Sequence, residues 1–134
     1  MENLTLTGTG NINGIGNALA NTIIGNAGNN VLIGGAGADK LTGGGGDDTY
    51  VVNITSSGAL EDTVTPGAGI DTIQVVGSYT GTIVRTLTAA TGVENLDISA
   101  TGSALLNLTG NASANVLIGR ANLSYRYSHV MPMS

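Results

Sequence analysis

A nine-residue period constrains this chain more than any other feature. From Gly16 the sequence reads GNALANTII, GNAGNNVLI, GGAGADKLT and GGGGDDTYV without interruption, with Gly16, Gly25, Gly34 and Gly43 heading successive units. Place six holds Asn21, Asn30, Asp39 and Asp48, always short and polar. Place eight holds Ile23, Leu32, Leu41 and Tyr50, always bulky. A period of this kind marks a stacked repeat, because one nine-residue unit cannot bury its apolar residue alone.

Each place has a physical task. Places one to six are small or turn-forming, and glycine there supplies the left-handed backbone angles of a tight turn without a Cβ clash. Places seven to nine form a short strand, in which the middle side chain points opposite to its neighbours, so place eight faces inward. One unit supplies a turn and a strand, and two units supply a flattened coil of about 18 residues. The expected fold is all-β: a parallel β-roll or β-solenoid with Gly-rich turns on both edges and coils roughly 4.8 Å apart.

Two of the units, GGAGADKLT and GGGGDDTYV, satisfy the nonapeptide G-G-x-G-x-D-x-U-x at every defined place, and the two before them match it nearly and in phase. In this the chain resembles the hemolysin-type calcium-binding repeat region of repeats-in-toxin (RTX) proteins. The resemblance implies calcium in the turns, held by carboxylates and backbone carbonyls of turns one coil apart. At 18 residues per coil, Asp39 stacks on Asn21 along one edge and Asp48 on Asn30 along the other. The implied metal ligands are Asn21, Asn30, Asp39 and Asp48 with the turn glycines Gly35, Gly37, Gly44 and Gly46, and Asp47 adds charge beside Asp48. Calcium takes six to eight oxygens, which unscreened glycine carbonyls and short Asp and Asn side chains provide. Two aspartates stacked at coil spacing would repel by about 3.5 kcal/mol at an effective dielectric near 20, so an ion would be needed to close the coil. With one Asn in each pair that repulsion is removed, and up to two sites of modest affinity are expected. Asp and Asn also favour such turns through purely local hydrogen bonds, which is the competing account of place six.

Beyond the repeats the reading is coarser. Residues 1–15 form a strand-rich lead-in, 16–53 the nonapeptide β-roll and 54–92 an irregular continuation, in which TIQVV at 72–76 and TIVRTLT at 82–88 are the clearest strands. The segment PGAGIDTIQ fits the nonapeptide with Pro66 at place one, but starts 23 residues after Gly43 and so falls out of the 18-residue register. Asp71, Glu61 and Asp62 are weak calcium candidates there. A longer period also runs through the chain. ENLTLTGTG at 2–10 returns as ENLDISATG at 94–102, and GNALANTIIG at 16–25 as GNASANVLIG at 110–119, so 93–119 starts a second copy and the chain reads as part of a longer array. Residues 120–134 break the pattern, carrying Arg120, Arg126 and His129, and are expected to form a disordered tail after a change of frame or a junction in the coding sequence.

Composition narrows the function. Aromatics make up 3% while the hydrophobic fraction is 41%, so the core is built from small aliphatics. A net charge of −5 favours cations over nucleic acid as partners. No stretch is long and apolar enough for a membrane span, and no Sec-type leader is present. No catalytic constellation is found: the chain has no G-x-S-x-G, no H-E-x-x-H and no phosphate loop, and its one histidine lies in the tail. The sequence therefore reads as a non-enzymatic, calcium-binding segment of an extracellular or cell-surface bacterial protein. The resemblance implies export by a type I-like route, with calcium ions and neighbouring coils of the array as partners. The alternative is a calcium-independent stalk or adhesin repeat held by stacked asparagines.

Overall fold

Short strands separated by turns wind into a parallel β-solenoid of about four turns. The computed structural model describes residues 2–55, 60–77, 85–88, 92–99, 101, 106–109, 111 and 115–118. The expected tail at 120–134 lies outside the described residues. In chain order the strands are β1 (Asn3–Thr5), β2 (Gly14–Ile15), β3 (Thr22–Ile24), β4 (Val31–Ile33), β5 (Lys40–Thr42), β6 (Thr49–Asn53), β7 (Thr63–Thr65), β8 (Thr72–Val76), β9 (Arg85–Thr88), β10 (Asn95–Asp97), β11 (Leu106–Thr109) and β12 (Val116–Ile118). Successive strands alternate between two walls. One sheet has the order β1-β3-β5-β7 and the other β12-β10-β8-β6-β4-β2, while β9 and β11 pair separately. Among the described residues no helix is long and apolar enough to cross a membrane.

The nonapeptide strands occupy places seven to nine, as their pattern predicts. Ile23, Leu32, Leu41 and Tyr50 at place eight are each fully buried. Parallel pairing stacks them along each wall: Ile23 on Leu41 in one, Leu32 on Tyr50 in the other. Burying a side chain of this size contributes about 1.5–3 kcal/mol, and in a chain without Trp or Phe these rows are the core. Leu41→Ala is expected to cost about 2–5 kcal/mol in chemical denaturation, since neighbouring coils cannot collapse into the gap. A loss under about 1 kcal/mol would show the coils to be loosely packed.

The coil length departs from expectation. Within the repeats paired residues lie 18 apart, as in Thr22↔Lys40 and Val31↔Thr49. From there on the spacing becomes 23, as in Lys40↔Thr63, Thr49↔Thr72 and Asn95↔Thr72, and then 21 in Asn95↔Val116. Over the solenoid the coil averages about 21 residues rather than 18. The cause lies at β6, which runs for five residues and turns two side chains inward, Tyr50 and Val52, before Ile54 bridges back to Leu60. β8 copies it with Ile73 and Val75, and Val52 pairs with Val75. The longer coil brings PGAGIDTIQ back into register, with Thr72 on Thr49 and Ile73 on Tyr50. Its apparent displacement followed from applying the 18-residue coil too far.

The long sequence period is a structural one as well. The β1–β3 pairing, Asn3↔Thr22, returns as the β10–β12 pairing, Asn95↔Val116. The two copies lie on opposite walls, because nine strand-to-strand steps separate β1 from β10 and each step changes wall.

Candidate metal centre in the stacked turns

The turns of the repeats differ according to whether place six is Asn or Asp. In the Asn turns the side chain closes its own turn. The Asn17 N–H donates to Asn21 Oδ1 at 2.8 Å, the Asn26 N–H to Asn30 Oδ1 at 2.9 Å, and in the second copy the Asn111 N–H to Asn115 Oδ1 at 2.7 Å. The amide groups are used too, with Asn21 Nδ2 donating to Asn17 Oδ1 and Asn30 Nδ2 to both Asn26 Oδ1 and the Ile12 carbonyl. These turns are satisfied by their own groups.

The Asp turns are not. Asp39 Oδ1 accepts the Asn21 N–H at 2.7 Å and Asp48 Oδ1 the Asn30 N–H at 2.8 Å, so each aspartate reaches back one coil, 18 residues, onto the expected Asn partner. The same contact then repeats with the longer coil. Asp39 N–H donates to Asp62 Oδ1, Asp48 N–H to Asp71 Oδ1, and Asp71 N–H to Glu94 Oε2. Two carboxylate columns result: Asn21–Asp39–Asp62 on one edge and Asn30–Asp48–Asp71–Glu94 on the other. Asp39, Asp48 and Asp71 are at most 1% exposed. The second carboxylate oxygens of Asp39, Asp48, Asp62 and Asp71 are buried and have no hydrogen-bond partner. Lys40, the only cation in the sequence between residues 2 and 77, is exposed on its strand.

Electrostatics registers this arrangement. Burial pushes the Asp71 carboxyl up to about 6, with the charges of Asp48, Glu94 and Asp47 adding to the shift. Burial likewise raises Asp62 to about 6, reinforced by Asp39 and Glu61. Asp48 is raised by burial and by Asp47 against the opposing pull of the Asn30 N–H. Buried carboxylates without a counter-ion favour the proton, and a bound cation would restore the charged form.

The glycine turns add oxygens. Gly35, Gly37, Gly44 and Gly46 have φ of 88°, 90°, 87° and 82°, which places them in the left-handed region. Turns of successive coils approach closely enough that a Cβ on Gly44 would stand 2.9 Å from the Asn26 carbonyl oxygen, and one on Gly35 2.7 Å from that of Asn17. The Gly44 and Gly46 carbonyls in turn face Gly67 and Gly69. The Gly35 carbonyl accepts the Asn53 amide at 2.9 Å. Asp47 belongs to an outer column that runs in the opposite sense: Asn29 N–H donates to Asn11 Oδ1, Asp47 N–H to Asn29 Oδ1 and Ile70 N–H to Asp47 Oδ1. Among the described residues no three His, Cys, Asp or Glu side chains converge as a metal cluster, so carbonyl or other neutral oxygens must complete any shell.

Four tandem turns, two of them with buried, unpartnered aspartate oxygens, agree with the comparison to protein families, in which residues 15–50 match the RTX calcium-binding nonapeptide repeat model in four copies. Residues 15–50 are RTX calcium-binding nonapeptide repeats. No curated protein and no solved structure gave a match. An RTX repeat β-roll is a non-catalytic module, and repeats of this family bind calcium. The donor set of the Asp turns, all oxygen and anionic, suits a hard cation, and its orphaned oxygens fit the calcium the repeats imply. Glu94 is a member of the acidic column that no motif marks, and Asp62 and Asp71, weak candidates by sequence, occupy places in the two columns. The 23-residue spacing of residues 48, 71 and 94, and of 39 and 62, was the available signal. Glu61 stays out of the columns, its N–H donating to the Asn53 carbonyl.

Proposed function

We propose that this chain is a calcium-coupled folding and stabilising segment of a secreted or cell-surface bacterial protein. The supporting observation is the set of buried carboxylate oxygens in stacked turns that lack any partner. Asp39 and Asp48 supply the charge, the turn carbonyls at Gly35, Gly37, Gly44 and Gly46 supply neutral oxygens, and Asn21 and Asn30 stack beneath the two aspartates. Calcium is scarce inside the cell and plentiful outside, so folding follows export, by a type I-like route. Neighbouring coils of a longer array are the natural protein partners.

A second reading has its own support. The Asn17–Asn21, Asn26–Asn30 and Asn111–Asn115 closures are complete without an ion, which favours calcium-independent coils of the stalk or adhesin kind wherever Asn holds place six. Far-UV circular dichroism in chelator and under calcium titration separates the two. The expected result is incomplete β signal in chelator, completed by millimolar calcium, and an Asp39→Asn/Asp48→Asn chain that is more ordered in chelator and has lost most of the response. Full β signal in chelator, unchanged by calcium, would establish the stalk reading instead.

A further inference from the structure

Two places of the nonapeptide vary together. Where place six is Asn, place two is Asn as well: Asn17 with Asn21, Asn26 with Asn30, and Asn111 with Asn115. Where place six is Asp, place two is Gly: Gly35 with Asp39, Gly44 with Asp48, and Gly67 with Asp71. Paired asparagines clasp each other across the turn. Asn21 Nδ2 donates to Asn17 Oδ1 at 3.1 Å while the Asn17 N–H donates to Asn21 Oδ1, and Asn30 and Asn26 repeat the exchange at 3.0 Å and 2.9 Å. The place-two oxygens also accept a backbone N–H two residues on, Leu19 onto Asn17 and Gly28 onto Asn26. These bonds span four residues or fewer, so each turn closes without waiting for another coil to stack on it.

Glycine at place two has no side chain to return such a bond. Asp39 and Asp48 instead accept from the Asn21 and Asn30 N–H groups, 18 residues back, and Gly35 and Gly44 lie over the Asn17 and Asn26 carbonyls. The acidic turns are thus built on the asparagine turns, and β5 and β6 on β3 and β4. Among the described residues, the buried side-chain oxygens and nitrogens without a partner belong to Asp39, Asp48, Tyr50, Asp62 and Asp71, and none lies in 2–33 or 92–118. Residues 2–33 also bond among themselves. Leu6 N–H donates to the Ile24 carbonyl, Thr22 N–H to that of Glu2, Gly16 N–H to that of Ile33, and Asn26 Nδ2 to those of Thr7 and Gly10.

We infer that the paired-asparagine coils, residues 2–33, are a built-in folding nucleus that orders without an ion and on which the acidic coils assemble once calcium is present. This rests on the reading of the acidic turns as calcium-dependent, and it says where folding starts and that Asn at places two and six together decides it. A stacked repeat grows by adding units to a formed neighbour. With the clasped coils already formed, the Asn21 and Asn30 N–H groups and the edges of β3 and β4 are in place before the ion arrives, which lowers the calcium needed to order the rest. Asn111 and Asn115 begin a second nucleus after the acidic coils.

The test is hydrogen exchange of the full chain, read segment by segment in chelator and along a calcium titration. In chelator the amides of 2–33 should stay protected while those of 39–77 exchange as in an unfolded chain, and calcium should then protect 39–77. Asn17→Ala/Asn26→Ala opens both clasps and leaves every acidic residue in place. It should lose the chelator protection of 2–33 and move the calcium midpoint of 39–77 upward or out of reach. Asn111→Ala, which breaks the same clasp in the second copy, should change neither. If 2–33 and 39–77 are both unprotected in chelator and become protected together at one calcium concentration, there is no nucleus and the calcium reading stands. Protection of 2–33 that survives the double variant would overturn the clasp as its cause. If 39–77 is protected in chelator and indifferent to calcium, the calcium reading falls and the nucleus with it.

Discussion

Replacing Gly46 with alanine is expected to cost about 2–5 kcal/mol, measured as the shift in urea midpoint at constant m-value, with or without calcium. Gly46 has φ of 82°, where an L side chain carries roughly 1–2 kcal/mol of strain. Its Cβ would stand 2.5 Å from the Gly28 carbonyl oxygen and 2.7 Å from the Gly28 carbonyl carbon, and those atoms belong to the backbone of the coil below. Backbone cannot rotate away as a side chain can, so the stacked turns must separate, at a further cost of about 1–3 kcal/mol. Gly8 is the control. Its φ is 80°, but nothing lies within 4 Å of its Cβ position, so Gly8→Ala should lose only about 1–2 kcal/mol, from strain alone. Equal losses at the two positions would mean that coil stacking is not tight at Gly46. Against a total stability of about 5–15 kcal/mol for an ordinary domain, the Gly46 effect is large enough to unfold the middle coils.

The response to pH should reverse with calcium. Asp62 and Asp71 are pushed up to about 6 in the folded chain, and Asp48 is also raised, against about 3.9 for an unfolded aspartate. A raised folded value means that the folded state binds the proton more tightly than the unfolded state. The stability this gives is fully present below pH ~4, is lost as pH rises through about 6, and is absent above that. In calcium-free buffer the chain should therefore be more stable at pH 4.5 than at pH 7.5, by about 2 kcal/mol from each of Asp62 and Asp71 once solvent screening of half-buried Asp62 is allowed for. In millimolar calcium the charged carboxylates are the binding form, and stability should rise over the same interval. Denaturation midpoints at the two pH values, with and without the ion, give four numbers. A fall with pH in both conditions would mean that the carboxylate columns do not take up calcium.

Much of this was legible from residue spacing. The nine-residue period determined a parallel coil, place eight as the buried row, place six as the stacked polar row, and the pairing of Asp39 with Asn21 and Asp48 with Asn30. It could do so because a strand alternates strictly and a coil of identical units must repeat its register. The TIQVV strand was equally plain, since four β-prone residues in five, set between turns, leave no competing helix period.

Only the tertiary structure decided the rest. Coil length after Asn53 depends on Val52 and Ile54 turning into the core behind Tyr50, a choice made by packing across the solenoid and invisible in the phase of the glycines. That choice moves Asp62, Asp71 and Glu94 from stray surface acids into the two buried columns. It also separates residues that look alike in sequence. Asn30 and Asp48 share place six, yet the first spends its oxygen on the Asn26 N–H of its own turn, while the second reaches across to the Asn30 N–H of the coil before and leaves an oxygen unpaired. An amide brings its own donor to the turn. A carboxylate brings only acceptors, so a buried column of carboxylates has to find its donors, or its cation, elsewhere.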